Sequence, residues 1–553
     1  MGIPSYFSHI VKSHRKIIKQ IKTNMKIDNL YLDSNSIIYD VVSRLELQNQ
    51  VQDNYDYIFN EVCISISKYI CSIKPTHKVI VAIDGVAPVA KLEQQRNRRY
   101  KSWFQNEIMK KIKNTSSDKW DTTRITPGTS FMKQLNEYLK RYFNKDNLKL
   151  NHNVNEIMIS GSDEPGEGEH KIFDYIRHHK DYHKNTTTVI YGLDADLIML
   201  TLNHLYISKQ LYLFRETPHF IRTLDKTLNP HELYLIDIPK LEDEIINNFE
   251  NDFTDNNDLK LQNEQKKRLV FDYILICFML GNDFLPHFPS INIRTNGIHI
   301  LINAYKEVFN FKNKNIRKND DFLTDGKSII WKNFRKFISY LADNELTYFE
   351  DEMKIRNKWE SKQVIMDSNK NMLEENFISI PSKNREIEKY INPGDKGWEN
   401  RYYKMLFNID IDEERKSQIC LNYLEGLEWT LKYYTSECPN WKWTYQYHYP
   451  PLLKDLLLYT PYFDTNFINN DDFSSKPVNE YVQLCYVLPR SSLHYLPKQL
   501  YDALMKHYSH LYKLDYTFSW SFCKYFWESH VNLPHIDINI LEELVEDMNK
   551  QIK

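Results

Sequence analysis

Glu167 and Glu169 stand two residues apart in GSDEPGEGEH (161–170), each preceded by a glycine, with Asp163 and Glu164 just upstream and His170 just downstream. A glycine-rich turn ordinarily cradles phosphate through bare backbone N–H groups, but two glutamates inside it would repel an anion. The carboxylates therefore either hold a cation or are solvated charge. Five further acids share their setting: Asp33 in YLDSN, Asp84 in AIDG, Asp194 and Asp196 in GLDADLIML, and Asp283 in LGNDFLPH. Any one of them alone also reads as an Asx turn or a helix N-cap. Seven together are costly unless cations neutralise them, because neighbouring like charges disfavour joint ionisation. Hard, oxygen-liganded Mg²⁺ suits such a cluster, and two ions about 4 Å apart form a clamp for in-line phosphodiester cleavage. The set lacks the His/Cys content of a zinc site. His170 reads as a local hydrogen-bonding residue near a helix start, and His287 in DFLPHFP is treated with the same caution.

The elements that must position these acids are strands. NLYLD (29–33), KVIVAID (78–84), EIMIS (156–160) and TTVIYGLD (187–194) are β-rich runs alternating with helical patterns over residues 1 to about 300. Such alternation predicts an α/β fold with a mostly parallel central sheet flanked by helices, and ligands collect outside the carboxyl ends of its strands. Directly after Asp84 comes GVAPVAKLEQQRNRRYKSWFQNEIMKKIK (85–113), which carries eight Lys or Arg against two Glu within 91–113. Lys91, Gln95, Arg98 and Arg99 fall at i, i+4, i+7 and i+8, one stripe of a helix. The stripe can close around a terminal phosphate, or it is an ordinary solvated basic face. Its place after an acid-tipped strand favours the first reading. The expected organisation is a nuclease-like unit over 1–310 with a polar excursion at about 237–266, a linker or helical layer over 311–395, and an aromatic-rich, largely helical second region over 396–553.

The totals set bounds on partners and setting. Lys and Arg number 72 against 74 Asp and Glu, so a nucleic-acid surface must be local. Seven cysteines without a C-x-x-C pair argue for a reduced chain without structural zinc. The N-terminus has no apolar signal core, Tyr6 breaks the myristoylation pattern, and YILICFMLG (273–281) is too short to span a bilayer. An intracellular, cytoplasmic monomer with no membrane partner is expected.

At these residues the sequence resembles the XRN family of 5′→3′ exoribonucleases, whose fold is PIN- or flap-nuclease-like. The resemblance is carried by MGIPSYF, NLYLDSNSIIY, AIDGVAPVAKLEQQRNRRY, ITPGTSFM, SGSDEPGEGEHKIFDYIR, YGLDADLIML, LICFMLGNDFLPHFPSINIR, YLEGLEWTLKYY and NWKWTYQYHYPP, in family order over most of 1–300 and again over roughly 395–540. It implies that the seven acids form a Mg²⁺ site, with Mn²⁺ able to substitute, and that Lys91, Gln95, Arg98 and Arg99 form a pocket for a 5′-monophosphate. It further implies a processive exonuclease on single-stranded RNA that releases 5′-mononucleotides in RNA degradation and mRNA decay, with decapping factors left open as partners. In the family the leading bases stack between a histidine after the first strand and a tryptophan of the second conserved region. Here Tyr39 stands at the histidine position, and a tyrosine can still stack for about 1–3 kcal/mol per base. The tryptophan is Trp443 or Trp441. The chain stops at Lys553 without the long C-terminal region of large members and lacks zinc-knuckle cysteines, so it is expected to be a minimal catalytic core. Its Asn, Lys, Ile and Tyr richness fits an AT-rich genome, such as that of a protist or large DNA virus. Two rivals remain: a flap-type DNA nuclease, and a non-catalytic RNA-binding scaffold on a nuclease fold.

Overall fold

A computed structural model describes the chain except residues 1, 22–24, 49–54, 115–119, 145–152, 216–227, 230–231, 251–262, 310–320, 362–369, 469–475 and 553. Part of the expected polar excursion (251–262) and two stretches of the expected linker (311–320 and 362–369) thus lie outside the described residues.

Seven strands form one sheet: β1 Ile18–Gln20, β2 Asn29–Asp33, β3 Lys78–Ala82, β4 Glu156–Ser160, β5 Thr188–Tyr191, β6 Leu211–Phe214 and β7 Tyr234–Asp237, in the order β1-β7-β6-β5-β2-β3-β4. From β4 to β6 the neighbours run parallel, while β7 is antiparallel to both β6 and β1. Chain order runs outward from β2 in both directions, through β3 to β4 and through β5 to β6. The β2/β5 boundary is therefore a topological switch point, where open α/β sheets leave a crevice. The four strands expected from the sequence are β2, β3, β4 and β5. The other three were not foreseen: Ile18–Gln20 is a short, largely exposed edge strand, and Leu211–Phe214 and Tyr234–Asp237 are runs of only four residues.

Alternate strand residues pack to opposite faces, as pleating requires. Tyr31, Ile80, Ala82, Ile190 and Leu213 enter one core, and Leu30, Leu32, Val79, Val81 and Val189 enter the other. The second core is covered by helices Asn35–Leu47, Tyr55–Ile73 and Ser130–Tyr142. The first is shared with the rest of the chain, because it also contains Trp331 and Phe337 of helix Trp331–Asp343 and Tyr423, Leu427 and Trp429 of helix Glu413–Thr435. The described part of 311–395 is mostly helical, and Trp331, Phe334 and Phe337 at 1% exposure or less make it a packed layer. The second region also adds a small hairpin, β8 Thr517–Ser519 with β9 His530–Asn532. The whole is a mostly parallel sheet flanked by helices, joined to a helical, aromatic-rich C-terminal region. No helix among the described residues is long and apolar enough to cross a membrane.

Candidate active site

Asp33 is the last residue of β2, and Asp84 lies two residues beyond β3, whose end is paired with it through Asp33 and Ala82. Asn35 locks Asp84 from both sides: its Nδ2 donates to Asp84 Oδ2 at 2.5 Å, and the Asp84 N–H donates to Asn35 Oδ1 at 3.1 Å. The Gly168 N–H, at the start of helix Gly168–His178, donates to Asp84 Oδ1 at 2.7 Å. A Cβ on Gly168 would lie 2.7 Å from Asp33 Oδ1 and 3.4 Å from Asp84 Oδ1. Glycine is thus needed there so that this helix terminus can approach both carboxylates. Its positive end favours negative charge.

The turn that delivers Glu167 and Glu169 sorts its acids by direction. Gly166, at φ +102, takes the left-handed conformation that glycine tolerates. Upstream of it Asp163 and Glu164 are exposed, with Asp163 bonded to Lys140 at 2.9 Å and Glu164 accepting from the Ser160 hydroxyl. Downstream, Glu167 and Glu169 are 3% and 5% exposed. Glu167 Oε2 meets Lys91 Nζ at 2.5 Å, its Oε1 accepts from the Tyr433 hydroxyl at 2.9 Å, and the same Lys91 Nζ reaches Asp283 Oδ2 at 2.7 Å.

Five of the seven acids, Asp33, Asp84, Glu167, Glu169 and Asp194, line one cavity of about 160 Å³. Asp196 and Asp283 stand behind it. Asp196, first residue of helix Asp196–His204, is 2% exposed, bonds the Tyr434 hydroxyl and packs so tightly on Gly2 that a Cβ there would meet its Oδ1 at 2.0 Å. Asp283 is held by Lys91 and, at 3.4 Å, by Gln94. Burial and then Asp84, Asp194 and Glu167 push the Asp33 pKa well above its ordinary value. Burial likewise raises Glu169, with Glu167, Asp194 and Asp196 adding to it, and burial together with Asp283 brings Asp196 up to about 7. At Asp283 burial acts in the same direction and is the largest single influence, but the charge and hydrogen bond of Lys91, with the N-terminal charge and Arg98 adding to them, together bring the pKa below the usual range.

This crowding bears on whether a metal fits. Carboxylates held this close resist joint ionisation, and Lys91 supplies one positive charge to them. The carboxylate oxygens among its lining are the donor set of a hard divalent cation. One atom each of Glu167, Glu169 and His170 lies within 4.8 Å of the other two. His170, expected to be a local hydrogen-bonding residue, instead stacks on Tyr433 at 3.7 Å and 20°, and burial drives its pKa well below 6.5.

The basic helix, Val89–Lys113, also lines the cavity and presents Lys91, Gln95, Arg98 and Arg99 there together. Gln95 Oε1 and Arg99 Nη1 are buried without a hydrogen-bond partner among the described residues. Burial lowers the Arg99 pKa to about 10, still cationic at neutral pH. Unpaired buried donors and acceptors are expensive, so such a pair marks a place where a polar ligand would be accepted. The second region fixes this helix. Val89 N–H donates to the Trp441 carbonyl at 2.8 Å, Arg96 to the Pro534 carbonyl at 2.9 Å, and Tyr486 donates to Glu93 at 2.7 Å.

Tyr39 lines the cavity from helix Asn35–Leu47, with Ile125 and Pro127 nearby. The two tryptophans differ. Trp443 is 6% exposed, stacks on Trp429 at 5.1 Å and presses its ring edge against Gly426, whose Cβ would lie 2.8 Å away. Trp441 is half-buried beside the first turn of the basic helix, and neither ring borders the cavity. Sequence reasoning missed Tyr433, Tyr434 and Asn35. Only Asn35, two residues after Asp33, carried a local signal; the tyrosines reach the acids from more than 200 residues away.

Acids gathered at the switch point of a mostly parallel sheet place the fold in the PIN-like nuclease class. Residues 1–217 match the model of the XRN 5′-3′ exonuclease N-terminus, and residues 263–385 and 378–553 match that of the Xrn1 helical domain. The chain belongs to the XRN family. It is similar to the 5′-3′ exoribonuclease 1 of Saccharomyces cerevisiae, at 29% identity over 90% of this chain and 40% of the relative, and to that of Homo sapiens, at 27% over 100% and 34%. The 5′-3′ exoribonuclease 2 of Arabidopsis thaliana is 26% identical over 100% of this chain and 68% of its own length. The chain thus spans well under half of the two exoribonuclease 1 relatives.

Proposed function

We propose that the chain is a processive 5′→3′ exoribonuclease that degrades single-stranded, 5′-monophosphorylated RNA to 5′-mononucleotides. The observation that carries this reading is one small cavity lined both by five acids and by the basic stripe, in which Arg99 and Gln95 have unpaired buried atoms. Two Mg²⁺ ions, or Mn²⁺ in their place, held by Asp33, Asp84, Glu167, Glu169, Asp194, Asp196 and Asp283, would supply an activated water and a counter-charge for the leaving oxygen.

The residues of the chain do the rest. Arg98 and Arg99 offer guanidinium forks and Lys91 a point charge to the terminal phosphate, while the unpaired Gln95 Oε1 is an acceptor that suits a ligand hydroxyl or N–H. Lys91 also bridges Glu167 and Asp283, so the group that grips the phosphate is tied to the acids that surround the scissile bond. Placing the end and the acids in one rigid frame converts binding into orientation. The cavity is small, about 160 Å³, and gathers the basic stripe beside the acids, which suits a strand's phosphorylated end rather than its middle. Tyr39 and Trp441 suit base stacking, Trp441 better than Trp443 because the latter ring is enclosed by Trp429 and Gly426. The partner is single-stranded RNA, and the chain acts as a monomer.

The reading is tested by following RNA and DNA of matched sequence, each with a 5′-monophosphate, in Mg²⁺. RNA shortening from its 5′ end much faster than DNA is expected. Equal decay of the two would point to a flap-type DNA nuclease, and decay of neither to a non-catalytic scaffold.

A further inference from the structure

Behind the basic helix, among the described residues, lies a second cavity of about 420 Å³, within the range of small-molecule sites. It touches the first at one place. Arg98 lines both, and Asp283, on the wall of the second, is bonded to Lys91 on the wall of the first.

Its lining has two chemistries. One side is flat and aromatic: His448 stacks on His530 at 4.9 Å and 16°, with Tyr449 edge-on to His530 at 5.2 Å and Trp527 stacked on Tyr525 at 4.3 Å. Burial lowers the pKa of both histidines, leaving neutral rings that can stack and accept or donate hydrogen bonds. The other side carries both signs of charge, Arg98 and Lys101 of the basic helix and Arg294 against Glu93, Asp283 and Glu528, and Lys101 Nζ donates to the Trp527 and Ser529 carbonyls at 2.9 and 2.8 Å. Two buried donors or acceptors point to a missing ligand. Asn282 Oδ1 is committed to the N–H groups of Phe284 and Leu285 at 2.9 Å each, which leaves its buried Nδ2 without a partner. His287 Nε2 is likewise buried and unpartnered. A flat heteroaromatic ring with hydrogen-bonding edges, carrying an anion at one end, matches this lining.

We infer that this chamber binds a nucleoside 5′-monophosphate, with its base among the His448–His530 pair, Asn282 and His287, and its phosphate against Arg98 and Lys101. The ligand class rests on the function proposed above, whose product is that molecule. The nucleotide reaches the chamber either past the Lys91–Asp283 pair or from solution.

Photolabelling with 8-azidoadenosine nucleotides tests the site. One arm adds free 8-azidoadenosine 5′-monophosphate to the full chain in EDTA with excess unlabelled RNA, and the other turns over RNA bearing 8-azidoadenosine at its 5′ end in Mg²⁺. Label on peptides spanning 444–449 or 520–530 in either arm supports the chamber, and label from the RNA arm alone shows internal delivery. Label confined to residues 33–39 and 84–99, or none in the free-nucleotide arm and none in the turnover arm, overturns it. Because the first arm needs no hydrolysis, a catalytically inactive chain still gives a reading. Trp527→Ala and, separately, Lys101→Met are expected to weaken free-nucleotide binding at least tenfold while the Tm confirms folding. Unchanged affinity in both overturns the assignment.

Discussion

At the residue scale, Lys91 joins the two halves of the proposed site. It ion-pairs with Glu167 and Asp283, while Arg99 and Gln95, on the same helical stripe, keep unpaired atoms toward the cavity. Charge-assisted hydrogen bonds contribute about 1.5–3 kcal/mol, so Arg99→Ala is expected to erode preference for a 5′-phosphate over a 5′-hydroxyl by roughly 10- to 100-fold. The ratio of kcat/KM for the two ends measures this, and an unchanged ratio would remove Arg99 from the pocket. Asp194→Ala is expected to abolish cleavage while RNA binding, read by filter retention, largely survives; substantial turnover in the variant would contradict its role. The acids and the basic stripe were legible in the sequence because Asp33, Asp84 and Asp194 close or follow β-rich runs, Glu167 and Glu169 stand in a glycine-rich turn, and the stripe has helical spacing. Tyr433 and Tyr434 were not, since nothing near Leu431 or Thr435 signals a partner at Glu167 or Asp196. Trp443 could not be separated from Trp441 by sequence, because enclosure by Trp429 and Gly426 depends on chain segments meeting in space.

At the element scale, the second region matters because it holds the basic helix and the layer behind it. The carbonyls of Trp441 and Pro534 and the hydroxyl of Tyr486 bond the first three turns of that helix. Further back, a buried ion network ties the 311–395 layer to the second region. Glu388, 1% exposed, accepts from Arg356 Nη2 at 2.6 Å and Arg385 Nε at 2.6 Å, and Arg356 also donates to the Phe522 and Cys523 carbonyls. Removing one partner leaves buried charge unpaired, at a cost of about 3–5 kcal/mol. Glu388→Gln is therefore expected to lower stability by roughly that amount in urea unfolding, and a loss under about 1 kcal/mol would show that the network relaxes. This layer fell in the segment expected to be a linker or loosely packed. Its apolar residues are spaced along separate short helices, so no single run betrays the shared core that Trp331 and Phe337 enter.

At the scale of the whole molecule, charge burial makes stability depend on pH. The carboxyls of Asp196 and Glu345 are raised to about 7 and about 8, so both are protonated in the fold where they would be ionised when unfolded. Their contribution is present at low pH and is lost as pH rises through the folded values. His204 and His287, lowered to about 3 and about 4, act in the opposite sense but only below pH 6.5, and Lys101 and Lys171, lowered to about 8, act only above it. Between pH 6.5 and 8 the buried acids dominate, and in EDTA the Tm is expected to fall across that window. Added Mg²⁺ is expected to reduce the fall, since a cation bound to the native acids stabilises the folded state by mass action. A flat profile, or one untouched by Mg²⁺, would contradict the acidic cluster as a cation site.

The central claim is that one cavity reads a phosphorylated RNA end and cleaves beside it. Initial rates on a single RNA sequence bearing a 5′-monophosphate, a 5′-hydroxyl or a 5′-cap, in Mg²⁺ and then in EDTA, test it most directly. The account predicts fast release of 5′-mononucleotides from the monophosphorylated RNA alone, and none in EDTA. Equal decay of all three ends, or undiminished decay in EDTA, would contradict it.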